Sequence, residues 1–288
     1  MTWVNAAVQG ILLGGLYALF ACGLSLMFGV MRIVNLAHGD FAVLAAFAAF
    51  SLMSWTPLNL WWSVVVVVPL FAGLGYLVQR GIIAKSMAIG PLAPLLVTFG
   101  LATVLQNVLL QGYSADTRAL DAGWLVSASL KVTDQVSVAY LSLITLGLAL
   151  LVIVAIQLFL SRSGLGRMLR AASDDPEAAR LVGGDNRHIY AVATGIAFAT
   201  VALAGLMFGM SSSFSPSAGP TRLIFGFEAV VIGGLGSLWG TLAGGMVLGL
   251  TQSFAGQVDP AYSILAGHLV FLAILAFRPQ GLLPARSV

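Results

Sequence analysis

Eight stretches of the sequence are apolar and almost free of charge, and short polar segments separate them. They cover roughly residues 4–31, 41–56, 58–79, 88–112, 136–160, 189–214, 227–254 and 261–277. About 20 helical residues cross a hydrocarbon core, and most of these stretches reach that length. The second and last are short, and the first and seventh are over-long. Continuous apolar runs indicate helices, because the strands of a membrane barrel would alternate apolar and polar residues.

The composition excludes a soluble fold. Only 8% of the residues are charged and 59% are hydrophobic, whereas about 25% of the residues of an average soluble domain are charged. The one cysteine, Cys22, lies within an apolar stretch, so a disulfide scaffold is excluded as well. We therefore predict an all-α, polytopic integral membrane protein that forms a single transmembrane domain over residues 1–288.

The basic residues predict the orientation of the chain. The segment 161–188 carries five of the 13 Lys and Arg residues, and Lys and Arg accumulate on cytoplasmic loops. Placing this segment in the cytoplasm puts the N-terminus and the segment 113–135 outside. The net charge of +3 fits this topology better than nucleic-acid binding, because no cluster of basic and aromatic residues follows a phosphate backbone.

The same rule conflicts with a simple count of spans after residue 188. Three further crossings would leave Arg278 and Arg286 outside, against the positive-inside bias. Either the run 227–254 enters and leaves on one side, or another crossing is hidden. Its many glycines favour a break, so we predict about 8–10 membrane segments, at least one of them broken or re-entrant.

The segment 161–188 also predicts two short helices. Asp175 is a suitable N-cap, Pro176 suits the first helical position, and Gly183 and Gly184 end a helix over 176–182. Another helical piece is expected near 165–172. The second helix has a small apolar face without a partner in the segment itself: Ala178, Leu181 and Val182. The segment is either a solvated connector or a helix that docks on a cytoplasmic protein; docking is favoured because such short helices gain most stability from packing.

Two further segments offer candidate residues for a solute path. Asn35, His38, Gly39 and Asp40 lie between two apolar runs, as either an unwound stretch beside a path or an ordinary cytoplasmic turn. The glycine-rich run after Gly226 contains Gly233, Gly234 and Gly236, and Gly236, Gly240 and Gly244 repeat at a spacing that allows close helix packing. Glu228 in this run must lie at the interface or in a wet, paired site, because an unpaired carboxylate in lipid is costly.

The sequence lacks the motifs that mark several kinds of binding or catalytic site. There is no phosphate-binding loop, His-Glu-x-x-His motif, cysteine pair or Gly-x-Ser-x-Gly elbow. His38, His188 and His268 lie in different elements, which argues against a shared metal site. We expect no catalytic residue, metal or cofactor, and the spans lack the chain of charged residues that a proton-coupled pump would use.

Three segments together resemble one family. They are Val34-Asn-Leu-Ala-His-Gly-Asp40, the pattern from Arg170-Ala171 to Gly183, and Val231-Ile-Gly-Gly-Leu-Gly-Ser237 with Gly244-Gly245. In order and spacing they resemble the permeases of branched-chain amino acid ABC transporters, LivH type. The closing Phe277-Arg-Pro-Gln-Gly-Leu-Leu-Pro284 fits the same pattern.

The resemblance implies a permease of the bacterial inner membrane that translocates branched-chain amino acids and hydrolyses no ATP itself. Its partners would be a second homologous (LivM-like) permease, two cytoplasmic ABC ATPases and a periplasmic substrate-binding protein. The implied ATPase-coupling residues are Arg170, Ala171, Pro176, Ala178, Ala179, Leu181 and Gly183. The residues expected along the solute path are Asn35, His38, Gly39, Asp40, Glu228, Gly233, Gly234 and Gly236.

Some features are compatible with more than one function. Many relatives are expected to carry a basic residue at the position of Glu228, which weakens any inference about the solute from that site. Urea and amide uptake systems have similar permeases. A self-contained secondary transporter or channel, and a membrane enzyme using His38, Asp40 and Glu228, are two competing hypotheses. If the segment 161–188 docks on an ATPase, Ala179→Arg is expected to place bulk and charge on the docking face.

Overall fold

The computed structural model describes residues 2–56, 59–133 and 136–283. Within these ranges the chain forms thirteen α-helices, a π-helical turn at Gln79–Ile83 and one two-stranded hairpin. The helices are α1 (Thr2–Met31), α2 (His38–Trp55), α3 (Leu60–Val78), α4 (Ala84–Met87), α5 (Ala93–Tyr113), α6 (Trp124–Ser127), α7 (Tyr140–Arg162), α8 (Gly164–Asp174), α9 (Pro176–Leu181), α10 (Asn186–Ser211), α11 (Gly219–Gly233), α12 (Leu238–Val258) and α13 (Tyr262–Phe277).

Each of the eight apolar stretches contains a helix, which confirms the prediction of an all-α membrane protein. Among the described residues, five helical segments are long and apolar enough to cross a bilayer, and there are six if α11 and α12 count as one bent span. The remaining two stretches form α2 and the shorter α13. The hairpin of β1 (Ser129–Thr133) and β2 (Val136–Ala139) is a local addition, and Gln9 Nε2 donates to Ser137 O at 2.8 Å to hold it against α1.

α1 and α10 form the centre of the bundle. The most apolar parts of α1 and α10 are 83% and 78% buried. The corresponding parts of the spans formed by α3, α5 and α7 are only 22–28% buried. The close approach of α1 to α12 depends on glycines, because a Cβ at Gly14 would lie 2.6 Å from Met246 Cα. Small residues allow such backbone contacts between membrane helices. The peripheral helices therefore expose long apolar faces around two buried central ones.

The predicted break in the glycine-rich run is confirmed. α11 and α12 meet at 115° across the turn 234–237. Gly240 and Gly244 pack against α11, as the spacing predicts, but Gly236 lies in the turn with φ +81°, so it does not share their helix face. Because the pair is broken, α13 brings the chain back to the end of the bundle where α8 lies. Arg278 therefore shares that end with the basic segment; Arg286 and Pro284 are outside the described residues.

Candidate functional site

The segment 32–37 brings the chain back into the bundle after α1. Arg32 has φ +54°, which reverses the chain, and His38 Nε2 lies 3.1 Å from Phe20 O. Phe20 is eleven residues before the end of α1, so α2 begins about 16 Å inside that end. Asn35, His38 and Asp40 are all at most 1% exposed. The hypothesis of a solvated cytoplasmic turn is therefore wrong for these three side chains: Asn35 lies in the buried unwound segment, and His38 and Asp40 lie in the buried first turn of α2.

Asp40 lies where the ends of two helices meet. It occupies the first turn of α2, and a Cβ on Gly219, the first residue of α11, would collide with its carboxylate. A glycine is also required at position 39, because a Cβ there would overlap the Gly219 carbonyl. Helix N-termini carry partial positive charge and favour a carboxylate. Transporters place such half-helix termini beside solutes near the middle of the membrane.

α5 contributes two polar side chains to this site that the sequence patterns did not reveal. Gln106 Nε2 donates to Asp40 Oδ1 at 3.0 Å, and Thr98 Oγ1 accepts from Leu36 N at 3.1 Å. Thr98 is fully buried. The available signal was their polarity within the apolar run 88–112, where a side chain that needs a partner must find protein or water.

Glu228 belongs to a separate buried cluster. Its side chain is buried and pairs with Nδ1 of His268 on α13, and the His268 ring stacks on Phe225 at 6.3 Å. The Arg222 guanidinium lies 4.0 Å above the Phe208 ring. Glu228 therefore has the pairing partner that one of its two interpretations requires. Within the part of the chain that the structure describes, Asp40 pairs with Gln106 and Glu228 with His268, and no hydrogen bond joins His38, Asp40 and Glu228.

Gly233, Gly234 and Gly236 lie at the other end of α11 from Asp40, about 21 Å away along the helix. The structure therefore does not bring the two groups of candidate path residues together. At this end the C-terminal strap (residues 278–283) closes on the turn: Leu282 N and Leu283 N donate to Ile232 O and Gly233 O at 2.8 and 2.9 Å. Gly281 has φ +80°, and a Cβ there would lie 2.5 Å from Gly234 Cα.

The coupling segment (residues 161–188) has the two predicted helices, α8 and α9. Asp175 Oδ1 accepts from Glu177 N at 2.9 Å and Ala178 N at 3.0 Å, and Gly183 ends α9 with φ +90°. Most of the predicted coupling residues are exposed: Arg170, Ala171, Pro176, Ala178, Leu181 and Gly183. Leu181 is 89% exposed and Val182 75%, so the apolar face has no partner among the described residues.

Ala179 is the exception, and its predicted place on the exposed face is wrong. It is only 1% exposed, and its carbonyl accepts from Gly184 N at 2.8 Å. In a helix of six residues, neighbouring positions point about 100° apart, so one faces the protein while the next faces outward. The exposed apolar surface here, named the docking surface after its predicted role, therefore consists of Ala178, Leu181 and Val182 without Ala179.

Hydrogen bonds join the coupling segment to the central helices. Ser173 Oγ donates to Gly29 O on α1 at 2.6 Å, and Asn186 Nδ2, at the start of α10, donates to Pro176 O at 2.7 Å. A half-open cavity of about 1260 Å³ lies at the same end of the bundle. Its walls come from the end of α1, α8, the turn between α11 and α12, and the strap. The coupling segment thus contacts both central helices and shares this cavity with the glycine-rich turn.

This architecture, with a buried helix pair, a broken helix pair and a short exposed helix between two spans, defines a multi-pass membrane protein of the transporter type. The chain belongs to the family described as branched-chain amino acid transport system / permease component, whose family model matches residues 6–275. The LivH-type resemblance is therefore confirmed, and the chain is a permease component of the ABC-transporter type.

Individual relatives agree with this assignment. The chain is 28% identical to the high-affinity branched-chain amino acid transport system permease protein BraD of Pseudomonas aeruginosa, over 98% of this chain and 95% of BraD. It is 24% identical to LivH of Escherichia coli, over 96% of this chain and 93% of LivH. It is also 25% identical to LivM of Escherichia coli, over 93% of this chain but 68% of LivM. One sequence is thus similar to three differently named permeases.

Proposed function

We propose that this chain is the solute-translocating subunit of an ATP-driven importer for branched-chain, aliphatic amino acids in the bacterial inner membrane. It would pair with a second homologous permease, two cytoplasmic ATPases and a periplasmic substrate-binding protein. The family and the names of BraD and LivH support the class of solute. The observation that supports coupling to separate ATPases is the exposed apolar surface of Ala178, Leu181 and Val182, which lies beside basic residues.

In this proposal, motion of the ATPases moves α9, and rigid helices carry that motion to the solute path. The Ser173–Gly29 hydrogen bond joins α8 to α1, and the His38–Phe20 contact joins α1 to the start of α2. Asn186 joins α9 to α10 in the same way. Phe198 on α10 packs against Phe41 in the first turn of α2, with ring centroids 4.2 Å apart. Both central helices therefore connect the docking surface with the Asn35–Asp40 site. Alternating access would follow if these helices shift as rigid bodies against the broken pair.

Reconstitution of the complete transporter in proteoliposomes tests the energy source. We expect uptake of labelled leucine only with ATPase subunits, binding protein and internal ATP present. Flux through this chain alone would instead support a self-contained secondary transporter or channel. Competition with valine, isoleucine, urea and acetamide identifies the solute, because a urea or short-amide permease is the competing assignment within the same family.

A charge on the docking surface tests coupling. Leu181→Asp should reduce ATP-driven leucine uptake at least tenfold, because a carboxylate cannot replace an apolar side chain in a packed contact. Leu130→Asp is the matched control, since Leu130 is also exposed but lies in the hairpin at the other end of the bundle. Equal uptake by the two variants would contradict docking at this surface.

A further inference from the structure

The half-open cavity beside the coupling segment is too large for a single small solute. Its volume is about 1260 Å³, whereas pockets for small molecules usually enclose roughly 300–1,000 Å³. The end of α7 forms a further part of its wall, through Gln157, Leu160 and Ser161. A free amino acid would leave most of this space empty, so the cavity fits a larger ligand.

The inner wall of the cavity is mostly apolar. Leu26 and Val30 of α1 and Leu238 of α12 line it and are at most 7% exposed. Ser25 lines it as well, about 9 Å inside the end of α1. Ser25 is fully buried, and its hydroxyl has no hydrogen-bond partner among the described residues. The inner wall therefore suits hydrocarbon that carries a hydrogen-bond acceptor.

The outer part of the cavity has the chemistry of a membrane–water interface. Trp239, in the first turn of α12, lines it and is 48% exposed, and tryptophan side chains favour the level of the lipid headgroups. α8 is amphipathic, because Leu169 and Ala172 are buried whereas Arg167 and Arg170 are exposed. Amphipathic helices with basic polar faces lie in the plane of the interface. The cavity therefore opens at the level of the headgroups.

The charges that line the cavity favour an anion. Arg167 and Arg170 both contribute to the wall, and neither has a carboxylate partner within the described part of the chain. Arg167 donates to the carbonyl of Arg162 at 3.3 Å, which leaves its other N–H groups available. Asp174 is the only acidic residue among the described lining residues. Guanidinium groups bind phosphate in a bidentate manner, and basic pockets between membrane helices bind anionic headgroups.

We propose that this cavity binds one anionic phospholipid, a ligand distinct from the transported solute. Its phosphate pairs with Arg167 and Arg170, and its acyl chains lie along Leu26 and Val30. An ester carbonyl, which lies just below the phosphate in a phospholipid, accepts the Ser25 hydroxyl. Because α8 and the turn between α11 and α12 both line the cavity, the lipid joins the coupling segment to the broken helix pair.

Lipid titration of the purified full-length chain tests the site. In a neutral detergent, native mass spectrometry measures binding of phosphatidylglycerol and of phosphatidylcholine, and we expect phosphatidylglycerol to bind at least tenfold more tightly. Arg167→Gln together with Arg170→Gln should weaken its binding at least fivefold. Arg180→Gln together with Arg187→Gln is the matched control, because it removes the same charge from exposed positions of the coupling segment outside the cavity. Equal affinities for the two lipids, or equal losses in the two double variants, would overturn the proposal.

An added negative charge provides an independent test that keeps both arginines. Ala171 lines the cavity and Ala178 lies outside it, and both alanines are exposed, so a glutamate at either position should be compatible with folding. Ala171→Glu should weaken phosphatidylglycerol binding at least fivefold by repelling the phosphate, whereas Ala178→Glu should change it less than twofold. Equal binding by the two variants would place the lipid outside this cavity.

Two further measurements distinguish the lipid from other occupants. Glycerol phosphate carries the same phosphate without acyl chains, so it should not displace phosphatidylglycerol at equal concentration. Displacement would show a site for small anions instead of a lipid site. In the assembled transporter, the preference for phosphatidylglycerol should persist. Loss of this preference when the ATPase subunits are added would assign Arg167 and Arg170 to the contact with the ATPase and would overturn the lipid site.

Discussion

The carboxylate of Asp40 is the most constrained polar group of the candidate site. It is buried at the N-terminal ends of α2 and α11 and accepts a hydrogen bond from Gln106. The sequence placed Asn35, His38 and Asp40 near one another but left open whether they face solvent. Sequence alone could not decide this, because the burial depends on α5 and α11, which are distant along the chain.

Gln106→Leu should destabilise the protein by about 1–3 kcal/mol, because it leaves the buried Asp40 carboxylate without its side-chain donor. Thermal unfolding of the purified chain measures the effect. A double-mutant cycle with Asp40→Asn serves as the control, since Gln106→Leu should cost less once the carboxylate is gone. Additive losses in the cycle would show that the two side chains do not stabilise each other.

At the scale of single elements, the coupling segment shows what local sequence signals can and cannot predict. Asp175, Pro176 and Gly183 predicted the ends of α9 correctly, because caps and helix stops depend on neighbouring residues. The sequence assigned Ala178 to the exposed face correctly, but it also placed Ala179 on the docking face, and Ala179 is buried. Which side of α9 is buried depends on how α9 packs against α8 and α10, and a six-residue helix has too few turns to show an apolar face.

Adjacent alanines on α9 provide a matched pair of variants. Ala179→Arg should lower the midpoint of thermal unfolding by several degrees, because it forces a charge into a packed position. Ala178→Arg should fold normally, since Ala178 is exposed, yet reduce ATP-driven uptake by adding bulk and charge to the docking surface. Nearly equal unfolding midpoints for the two variants would contradict the assigned orientation of α9.

The contact between α1 and α12 is the clearest case of element packing by small residues. Gly14→Val should destabilise the fold by roughly 1–3 kcal/mol or more, because overpacking here must move the backbone of α12. Gly147→Val on α7 is the control, since a Cβ at Gly147 meets nothing within 4 Å. Thermal unfolding compares the two, and a similar loss from both would mean that helix propensity, not close packing, is the cause.

At the scale of the whole molecule, the sequence predicted the spans and the break, while the structure supplied the long-range contacts. The charge bias conflicted with a count of crossings, and the 115° bend between α11 and α12 resolves that conflict. The polarity of residues 278–283 gave no indication of their contact partner. The strap binds carbonyls about fifty residues earlier in the chain, and such non-local pairing leaves no periodic pattern in a single sequence.

The strap joins the end of α13 to the end of α11, beside the cavity that α8 also lines, so it can transmit motion of the coupling segment to the broken pair. Leu283→Pro removes the N–H that donates to Gly233 O, whereas Leu283→Ala keeps it and trims a half-exposed side chain. One such bond contributes only about 1 kcal/mol to stability, so both variants should fold. If the strap holds the turn in register, the proline variant should transport at least threefold less leucine per ATP hydrolysed, while the alanine variant stays near the unsubstituted chain. The ATPase rate and leucine uptake are measured in parallel. An unchanged ratio of leucine transported to ATP hydrolysed in the proline variant would show that the strap only caps the end of α11 and does not take part in coupling.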